Sequence, residues 1–557
     1  MKQKENSING KHNWYERLLN IIGMVKPGEG ESCILFTLNA CLLMTAYYLL
    51  KVIREPLILS YGGAEYKSYA TAFQAITLLV VLPFFSSFYH KHAASKVRSV
   101  IVNKVFLFFI SHLLIFSFLK FLNVNIGMAF YIWLGIFSVM VVAQFWAFAA
   151  DTYNVKSGQR LFVIIAIGAT LGAWIGSRLA GIVFPYLGIN GIMLLSAGVL
   201  FLSVLITAKI EKTVPEFSMN EESTHKENTS NRWLDGFSTV FKNNYLLLIA
   251  CFVTLLIFIN STGEYILARF VSEESQILLD SGKIANVVHW QSSFYSSYYS
   301  WITMGSFLLQ AFLVSRIFKW VGIRGAVMVL PVIMIIGYSF MLYFPIFAFV
   351  RYAMTFENSA NYSVQNTTRH ALFLPVPRKL KYLGKTTIET FFYRFGDLLY
   401  GVFVYLMTTH ANFMIHHYIM INLFLSVVLF FVAWKVGHKN LKEMRKSKPD
   451  SVLSLKAVIP HLHMPSGQMS KFSVSECTFV DPSVGDALHY HAERESGDPL
   501  PGWIEFDPMT RTFTFDSPND FIGRFNLRII ATDFDGNKAS CGIKLTFYKE
   551  EPEVLPA

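Results

Sequence analysis

Long apolar segments separated by short polar ones run through most of the chain. Twelve of them reach the ~20 residues that a membrane-spanning helix needs, with approximate bounds 32–52, 68–90, 99–121, 125–150, 160–184, 190–209, 244–267, 295–316, 322–343, 346–367, 383–409 and 414–436. The segment between the sixth and the seventh, KIEKTVPEFSMNEESTHKENTSNRWLDG, is long, polar and charged. The pattern therefore predicts an α-helical membrane protein whose twelve helices form two groups of six.

The pattern changes to short alternating runs near residue 464. Apolar side chains recur at every second position between Gly, Pro, Asn and Asp turns, as in Phe525, Leu527, Ile529, Ala531 and then Ile543, Leu545 and Phe547. A period of two with such turns predicts a small all-β sandwich. We therefore divide the chain into an N-terminal segment (1–30), a six-helix half (31–210), a central loop (211–243), a second six-helix half (244–437), a basic linker (438–463) and a β-sandwich (464–549).

Composition supports a membrane protein and excludes several other classes. Hydrophobic residues make up 53% and charged residues 15%, whereas soluble domains are nearer about 25% charged. The net charge of +11 comes from bases in short loops beside apolar segments, so no nucleic-acid partner is predicted. The five cysteines lack metal-ligand spacing and no enzyme motif is present, so we expect neither a cofactor nor catalysis. No signal peptide is recognised, so the first spanning helix is expected to direct the chain to the membrane.

The short loops differ sharply in Lys and Arg content, which predicts the orientation in the membrane. Bases precede the first segment and follow the second, fourth, eighth and tenth, and six follow the twelfth: Lys435, Lys439, Lys442, Arg445, Lys446 and Lys448. The intervening loops are nearly free of bases. Both termini are therefore predicted to be cytoplasmic, with Cys477 and Cys541 kept as thiols and the basic linker drawn to anionic lipid.

Ionisable and amide groups are concentrated between Glu357 and Tyr400, inside otherwise apolar segments. Such a side chain near the bilayer centre costs roughly 2.5 to 3.5 kcal/mol on insertion scales. We therefore expect the polar groups of this stretch to face the protein interior or a wet cavity: Glu357, Gln365, Arg369, Glu389, Arg394 and Asp397. The stretch predicts a solute pathway.

Glycines recur every four residues in the fifth segment, at Gly168, Gly172 and Gly176, with Gly181 beyond. This spacing places the first three on one helix face, where another helix can approach closely. We interpret the face as a packing surface, although helices of a rocking transporter could also slide there.

Two stretches resemble the bacterial and plastid ATP/ADP translocases. The first runs from Tyr362 to Gly396 and aligns with the tenth and eleventh helices of that family through Tyr362, Ser363, Pro375, Lys381, Gly384, Lys385, Ile388 and Gly396, with conservative changes at Arg369, Phe373 and Glu389. The second, YYLLKVIREPLILSYGGAE, is similar to the family's first helix and following loop. The resemblance covers residues 30 to 437 and implies a major-facilitator-like fold of twelve helices, exchange of nucleotides by alternating access, and a bacterial inner (cell) membrane.

The resemblance also implies which residues hold an anionic substrate. Lys51, Arg54 and Glu55 stand where the family has two bases and an acid, and the resemblance implies that the bases hold nucleotide phosphates. A base at this position could instead snorkel to the interface. Asn366 and His370 stand where the family has acids, and Asp397 stands where it has a Lys. Arg394, three residues earlier, could either replace the lost positive charge or simply pair with Asp397. Glu264 lies in a Gly- and hydroxyl-rich turn. The candidate substrate-binding residues are Lys51, Arg54, Glu55, Glu264, Asn366, Arg369, Lys385, Glu389, Arg394 and Asp397.

Two other functions remain open from the sequence. The protein could be a proton-coupled carrier of another organic anion, with His370, Glu389 or Asp397 as the proton relay. Alternatively, the helices could anchor the β-sandwich as a scaffold or receptor for a protein partner. Asp151 and Arg160, which flank a short loop, are interpreted as a structural gate or a charge anchor.

The C-terminal region is similar to cadherin-like, dystroglycan-type immunoglobulin-like modules. The resemblance lies in LPGWIEFD, the FIGRF turn and the hairpin ATDFDGNKAS. It implies an Ig-like fold and places Asp481, Asp486, Asp533 and Asp535 at positions like those that bind calcium in cadherins. Asp residues are also common simply because they form turns, and no metal site is predicted.

Overall fold

The structure is a computed structural model of the whole chain. It describes residues 16, 19–20, 25–26, 28–92, 98–153, 155–213, 232–447, 454–455, 457–475, 478–480, 488–532 and 538–549. The chain forms two compact units. The first comprises Met1–Val314, Met328–Thr367 and Arg378–Val436, and the second comprises Ser315–Val327, Thr368–Pro377 and Gly437–Ala557.

Apolar sequence produces long helices through most of the described residues. In chain order they are α1 (Gly30–His92), α2 (Arg98–Phe121), α3 (Gly127–Thr152), α4 (Val155–Thr213), α5 (Arg232–Lys242), α6 (Asn244–Asp280), α7 (Val287–Leu308), α8 (Val314–Tyr343), α9 (Phe347–Ala360), α10 (Asn366–Ala371), α11 (Arg378–Thr387), α12 (Tyr393–Thr409) and α13 (Ile415–Ser447). One π-helical turn follows each of α7, α9 and α11, at Leu309–Leu313, Asn361–Gln365 and Ile388–Phe392.

The predicted fold class is confirmed, but the prediction of twelve separate helices is wrong because some of the predicted spans are joined into one helix. The first two predicted spans are joined in α1 across Gly62 and Gly63, and the fifth and sixth are joined in α4 across Gly188. Gly63 has φ 80° and Gly188 has φ 59°, a region that suits glycine because it has no Cβ. A glycine break inside one continuous helix thus replaces the loop that the sequence predicted after the first helix.

The first compact unit, called the helical unit below, exposes many large apolar side chains, as lipid contact requires. Seven helical stretches within the described residues are long and apolar enough to cross a membrane. Large apolar side chains are exposed on them, including Phe108, Phe118, Leu205 and Phe424. The protein is therefore a multi-pass integral membrane protein.

The glycine face of α4 packs directly against the backbone of α1, which confirms the packing interpretation. A Cβ atom at Gly168 would lie 2.5 Å from the carbonyl oxygen of Thr37, and Cβ atoms at Gly172 and Gly176 would collide with the carbonyl oxygens of Cys41 and Thr45. Only glycine allows the two helices to approach this closely.

The C-terminal strands form the predicted sandwich. They are β1 (Ser454–Leu455), β2 (Leu462–Pro465), β3 (Met469–Ser473), β4 (Phe479–Val480), β5 (His489–Arg494), β6 (Ile504–Asp507), β7 (Thr512–Asp516), β8 (Gly523–Thr532) and β9 (Lys538–Tyr548). One sheet has the order β2-β9-β8-β5, with β2 parallel to β9, and the other has the order β3-β7-β6. The alternating residues from both sheets, including Phe513, Leu527, Ile529 and Leu545, are fully buried in one core.

The predictions about calcium binding and about the two cysteines of this domain concern residues that the structure only partly describes. The four candidate calcium-binding aspartates and Cys477 lie outside the described residues. Cys541 lies on β9, where it is an unpaired cysteine buried in the core of the sandwich.

Candidate functional site

A polar cavity of about 190 Å³ lies inside the helical unit. Its walls come from α1, α3, α6, α7, α9, α12 and the π-helical turn after α9. The lining side chains are mostly charged, amide or tyrosine groups: Tyr47, Lys51, Arg54, Lys67, Thr71, Gln74, Tyr131, Asn260, Ser261, Glu264, Tyr299, Asn358, Tyr362, Asp397 and Tyr400. Such a concentration of polar groups at membrane depth is the usual mark of a solute site.

The carboxylate of Glu55 organises one wall of the cavity. It is completely buried on α1, where it pairs with the guanidinium group of the adjacent Arg54 and, at 2.9 Å, with the ammonium group of Lys67. The Tyr299 hydroxyl donates a third contact from α7 at 2.9 Å. Arg54 in turn lies 4.2 Å from the ring centre of Tyr131. These contacts satisfy the buried charges, as burial in a membrane protein requires.

Lys67 connects this wall to Glu264 on α6. The Lys67 ammonium group lies 3.4 Å from Glu264, whose other oxygen accepts hydrogen bonds from Tyr298 at 2.9 Å and from Asn358 at 2.8 Å. Residues from the first and second predicted six-helix halves thus meet in one ionic network. An interaction between the halves is what an alternating-access carrier must break and remake.

Lys51 is the cavity base that has no acidic partner among the described residues. Its side chain is 8% exposed, and its ammonium group lies 4.3, 5.0 and 5.6 Å from the ring centres of Tyr299, Tyr48 and Tyr362. These rings attract a cation through their electron-rich faces. They leave its hydrogen-bonding capacity unused, so the Lys51 ammonium group is suited to bind an anion.

Asp397 lines the same cavity and is already neutralised. Its carboxylate accepts a hydrogen bond from Ser261 at 2.9 Å and pairs with Arg394, one helical turn earlier, at 3.3 Å. Of the two roles that the sequence left open for Arg394, the structure shows the pairing. Asp397 therefore adds no net negative charge to the site.

The network as a whole carries one positive charge in excess. It contains the bases Lys51, Arg54, Lys67 and Arg394 and the acids Glu55, Glu264 and Asp397. Since these groups lie inside a protein surrounded by lipid, the excess charge is weakly screened. The arrangement favours an anion.

The structure brings together six of the ten residues predicted to bind substrate. Lys51, Arg54, Glu264 and Asp397 line the cavity, and Glu55 and Arg394 each contact one of those four directly. The other four lie elsewhere: Asn366 begins α10 and is exposed, Lys385 is near the end of α11, Glu389 is in the π-helical turn after α11, and Arg369 is on α10 in the second compact unit. Their roles remain predictions.

Sequence reasoning missed Lys67, Asn260, Asn358 and the tyrosines of the cavity. Lys67 falls just before the second predicted span (68–90), whereas the glycine break is so short that Lys67 lies within α1 and is buried. A charged residue four positions after a Gly-Gly pair, in an apolar sequence, was the available signal. The tyrosines carried no signal because 26 of them are spread along the chain.

Arg160 acts as a charge anchor, one of the two interpretations offered for it. Its guanidinium group forms a bidentate pair with Glu29 at 3.1 and 2.9 Å, joining the start of α4 to the residue before α1. Burial raises the pKa of Glu29, but the contacts with Arg160, the Lys26 backbone and Ser157 together lower it by more, so the net pKa lies below its usual range. The contribution of this pair to stability is therefore present at neutral pH and is lost as the pH falls through the lowered pKa of Glu29.

Three solved structures share the arrangement of helices. A bacterial homologue of the human lysosomal transporter Spinster is 12% identical with a TM-score of 0.51, covering 75% of this chain and 99% of that one. A mutant of the nucleoside transporter NupG is 15% identical with a TM-score of 0.55, covering 73% and 99%. An auto-inhibited POT family peptide transporter is 9% identical with a TM-score of 0.51, covering 74% and 97%.

The helical unit has the major facilitator fold. At these identities the similarity establishes the fold and nothing about the substrate. Residues 454–547 match the family described as "Putative Ig domain", which confirms the Ig-like nature of the C-terminal strands. No curated protein sequence matches the chain.

Proposed function

We propose that the protein is a secondary transporter that moves a nucleotide, or a related phosphorylated anion, by alternating access. The observation that carries this proposal is the Lys51 ammonium group, buried beside tyrosine rings on a membrane-embedded cavity and without an acidic partner among the described residues. An oxyanion of the cargo would supply that partner. The resemblance to the ATP/ADP translocases at Lys51, Arg54 and Glu55 supports the same chemistry.

The tyrosines would provide the second half of the site. Five of them line the cavity, and aromatic faces stack on planar rings such as nucleobases. The volume of about 190 Å³ is below the roughly 300–1,000 Å³ of typical ligand pockets. A whole nucleotide would therefore need the wider cavity of a more open conformation, which alternating access supplies.

A proton-coupled carrier of another organic anion is the second candidate. It is favoured by one observation, the buried carboxyl group of Glu357, which no base of the described residues neutralises. Both candidates require an anionic cargo, so the first experiment tests that shared requirement.

Replacing Lys51 with glutamine should weaken cargo binding by roughly 10- to 100-fold, since a hydrogen bond to a charged group contributes about 1.5–3 kcal/mol. Lys51→Arg retains the charge and should recover most of the affinity. The measurement is a thermal-shift and isothermal-titration series on the purified protein with adenosine, AMP, ADP, ATP and sugar phosphates.

Lys283→Gln provides the control because Lys283 is an exposed base outside the cavity. It should bind every compound like the parent protein. Equal affinities of the parent protein and Lys51→Gln for every anion that binds would contradict the proposed role of Lys51.

We also propose that the Ig-like domain lies in the cytoplasm, in keeping with the distribution of bases in the loops. Cys541 is too buried to report on this with a thiol reagent, whereas Met509 is 90% exposed between β6 and β7. In intact cells, a membrane-impermeant maleimide should fail to label Met509→Cys until the cells are lysed. It should label Lys283→Cys before lysis, because that loop is predicted to be outside. Labelling of Met509→Cys in intact cells would contradict the proposed cytoplasmic location of the domain.

A further inference from the structure

Glu357 is a carboxyl group buried in the membrane-embedded unit without a cationic partner. It lies on α9 and is 3% exposed. The Asn260 amide on α6 donates a hydrogen bond to it at 3.0 Å, and the Tyr338 hydroxyl on α8 also faces it. Among the described residues no base forms an ion pair with it, and the base on its own helix, Arg351, donates instead to Ser297 at 3.1 Å.

Charge at this position would be costly. A buried carboxylate that lacks a cation loses its hydration without recovering a Coulomb interaction, and in practice such a group takes up a proton instead. The side chains that face Glu357 from the neighbouring helices cannot change this, because Glu264 on α6 is itself an acid and Tyr298 on α7 and Tyr338 on α8 are neutral. Burial without a cationic partner therefore favours the protonated form of Glu357 in this conformation.

The carboxyl group is connected to the cavity by two asparagines that line it. Asn260 contacts both Glu357 and, at 3.5 Å, the side-chain oxygen of Asn358. Asn358 donates at 2.8 Å to Glu264, which pairs with Lys67. A change of charge at Glu357 therefore acts on the network that would hold the cargo.

We propose that Glu357 binds the proton that is transported together with the anionic cargo. With Glu357 protonated, the cavity network keeps its one excess positive charge, which an anion neutralises. With Glu357 ionised, that excess disappears and the anion is no longer favoured. Proton and anion thus promote the binding of each other, and on the far side the loss of the anion releases the proton from Glu357 to water.

This inference rests on the proposed transport of an anion, but the protonation of Glu357 can be measured without any cargo. Infrared spectroscopy of the protein in lipid vesicles should show the C=O stretch of a protonated carboxylic acid at neutral pH. The band should disappear in Glu357→Gln and remain in Asp397→Asn, because Asp397 is paired with Arg394. Absence of a Glu357-dependent band, at neutral and at mildly acidic pH, overturns the proposal whatever the cargo is.

The coupling is tested by the pH dependence of anion binding, using whichever of AMP, ADP, ATP and the sugar phosphates binds. Raising the pH through the titration of Glu357 should weaken binding by a factor between about 5 and 150, the range usual for coupled sites. Glu357→Gln imitates the protonated form and keeps an acceptor for Asn260, so it should lose the part of the pH dependence that the parent protein owes to Glu357 and keep only that of the phosphate groups of the ligand.

Transport in vesicles gives the decisive comparison. Under an imposed proton gradient the parent protein should accumulate the anion, whereas Glu357→Gln should exchange it without accumulation. Glu273→Gln is the control, since Glu273 is an exposed acid on α6 with a side chain 51% exposed. Accumulation by Glu357→Gln at the parental level would overturn the proposal. If none of the compounds binds, the proposed transport of such an anion is contradicted. The infrared band then decides by itself whether Glu357 holds a proton.

Discussion

Lys67→Gln is expected to abolish transport and to lower the free energy of unfolding by roughly 3 kcal/mol, because breaking a buried ion pair leaves an uncompensated charge. Lys67 is 4% exposed and pairs with Glu55 at 2.9 Å and with Glu264 at 3.4 Å. The estimate is at the low end of the range for such pairs because Arg54 still neutralises Glu55. The measurements are anion uptake into proteoliposomes and thermal unfolding in detergent.

Loss of function in this variant must be separated from loss of folding. Lys67→Arg keeps the positive charge, so it should unfold near the parental temperature and retain part of the uptake. A second comparison is the double variant Lys67→Gln with Glu264→Gln, which removes both charges of the inter-helix pair and should be more stable than Lys67→Gln alone. Parental stability and uptake in Lys67→Gln would show that the pair contributes nothing.

Gly172→Leu is expected to prevent α4 from packing against α1, with a loss of at least about 3 kcal/mol, the upper part of the range for overpacked cores. The new Cβ would collide with the carbonyl oxygen of Cys41, which is backbone and cannot move away as a side-chain tip can. The expected readouts are low yield of folded protein and a much lower unfolding temperature in the same detergent.

The same helix offers a matched control at Gly198. A Cβ atom there meets no atom within 4 Å, and the residue is exposed. Gly198→Leu should therefore leave stability unchanged or raise it slightly, because leucine is the better helix former. If Gly172→Leu and Gly198→Leu behaved alike, the close approach of α4 and α1 would be wrong.

The sequence determined the fold class through its hydrophobic pattern. Segments of about 20 apolar residues have few stable forms other than membrane-spanning helices, and alternation such as that from Phe525 to Ala531 requires a sheet with one buried face. It also determined that certain helices turn polar side chains inward, because Glu357 and Asp397, both now found buried, could not face lipid. The four-residue spacing of Gly168, Gly172 and Gly176 was sufficient to predict a close helix contact.

Only the tertiary structure decided which charges meet. Glu264 and Lys67 are 197 residues apart in the chain yet form one pair, and no local pattern specifies a contact between helices so distant. The pairing of Asp397 with Arg394, three residues earlier on the same helix, was one of the two roles that the sequence offered. The lack of any described base beside Glu357, in contrast, depends on how the helices pack. A sequence shows how many acids and bases a membrane protein buries, but their charge state depends on distances of 3 to 4 Å between helices, and these are set by packing around the glycines and tyrosines of the core.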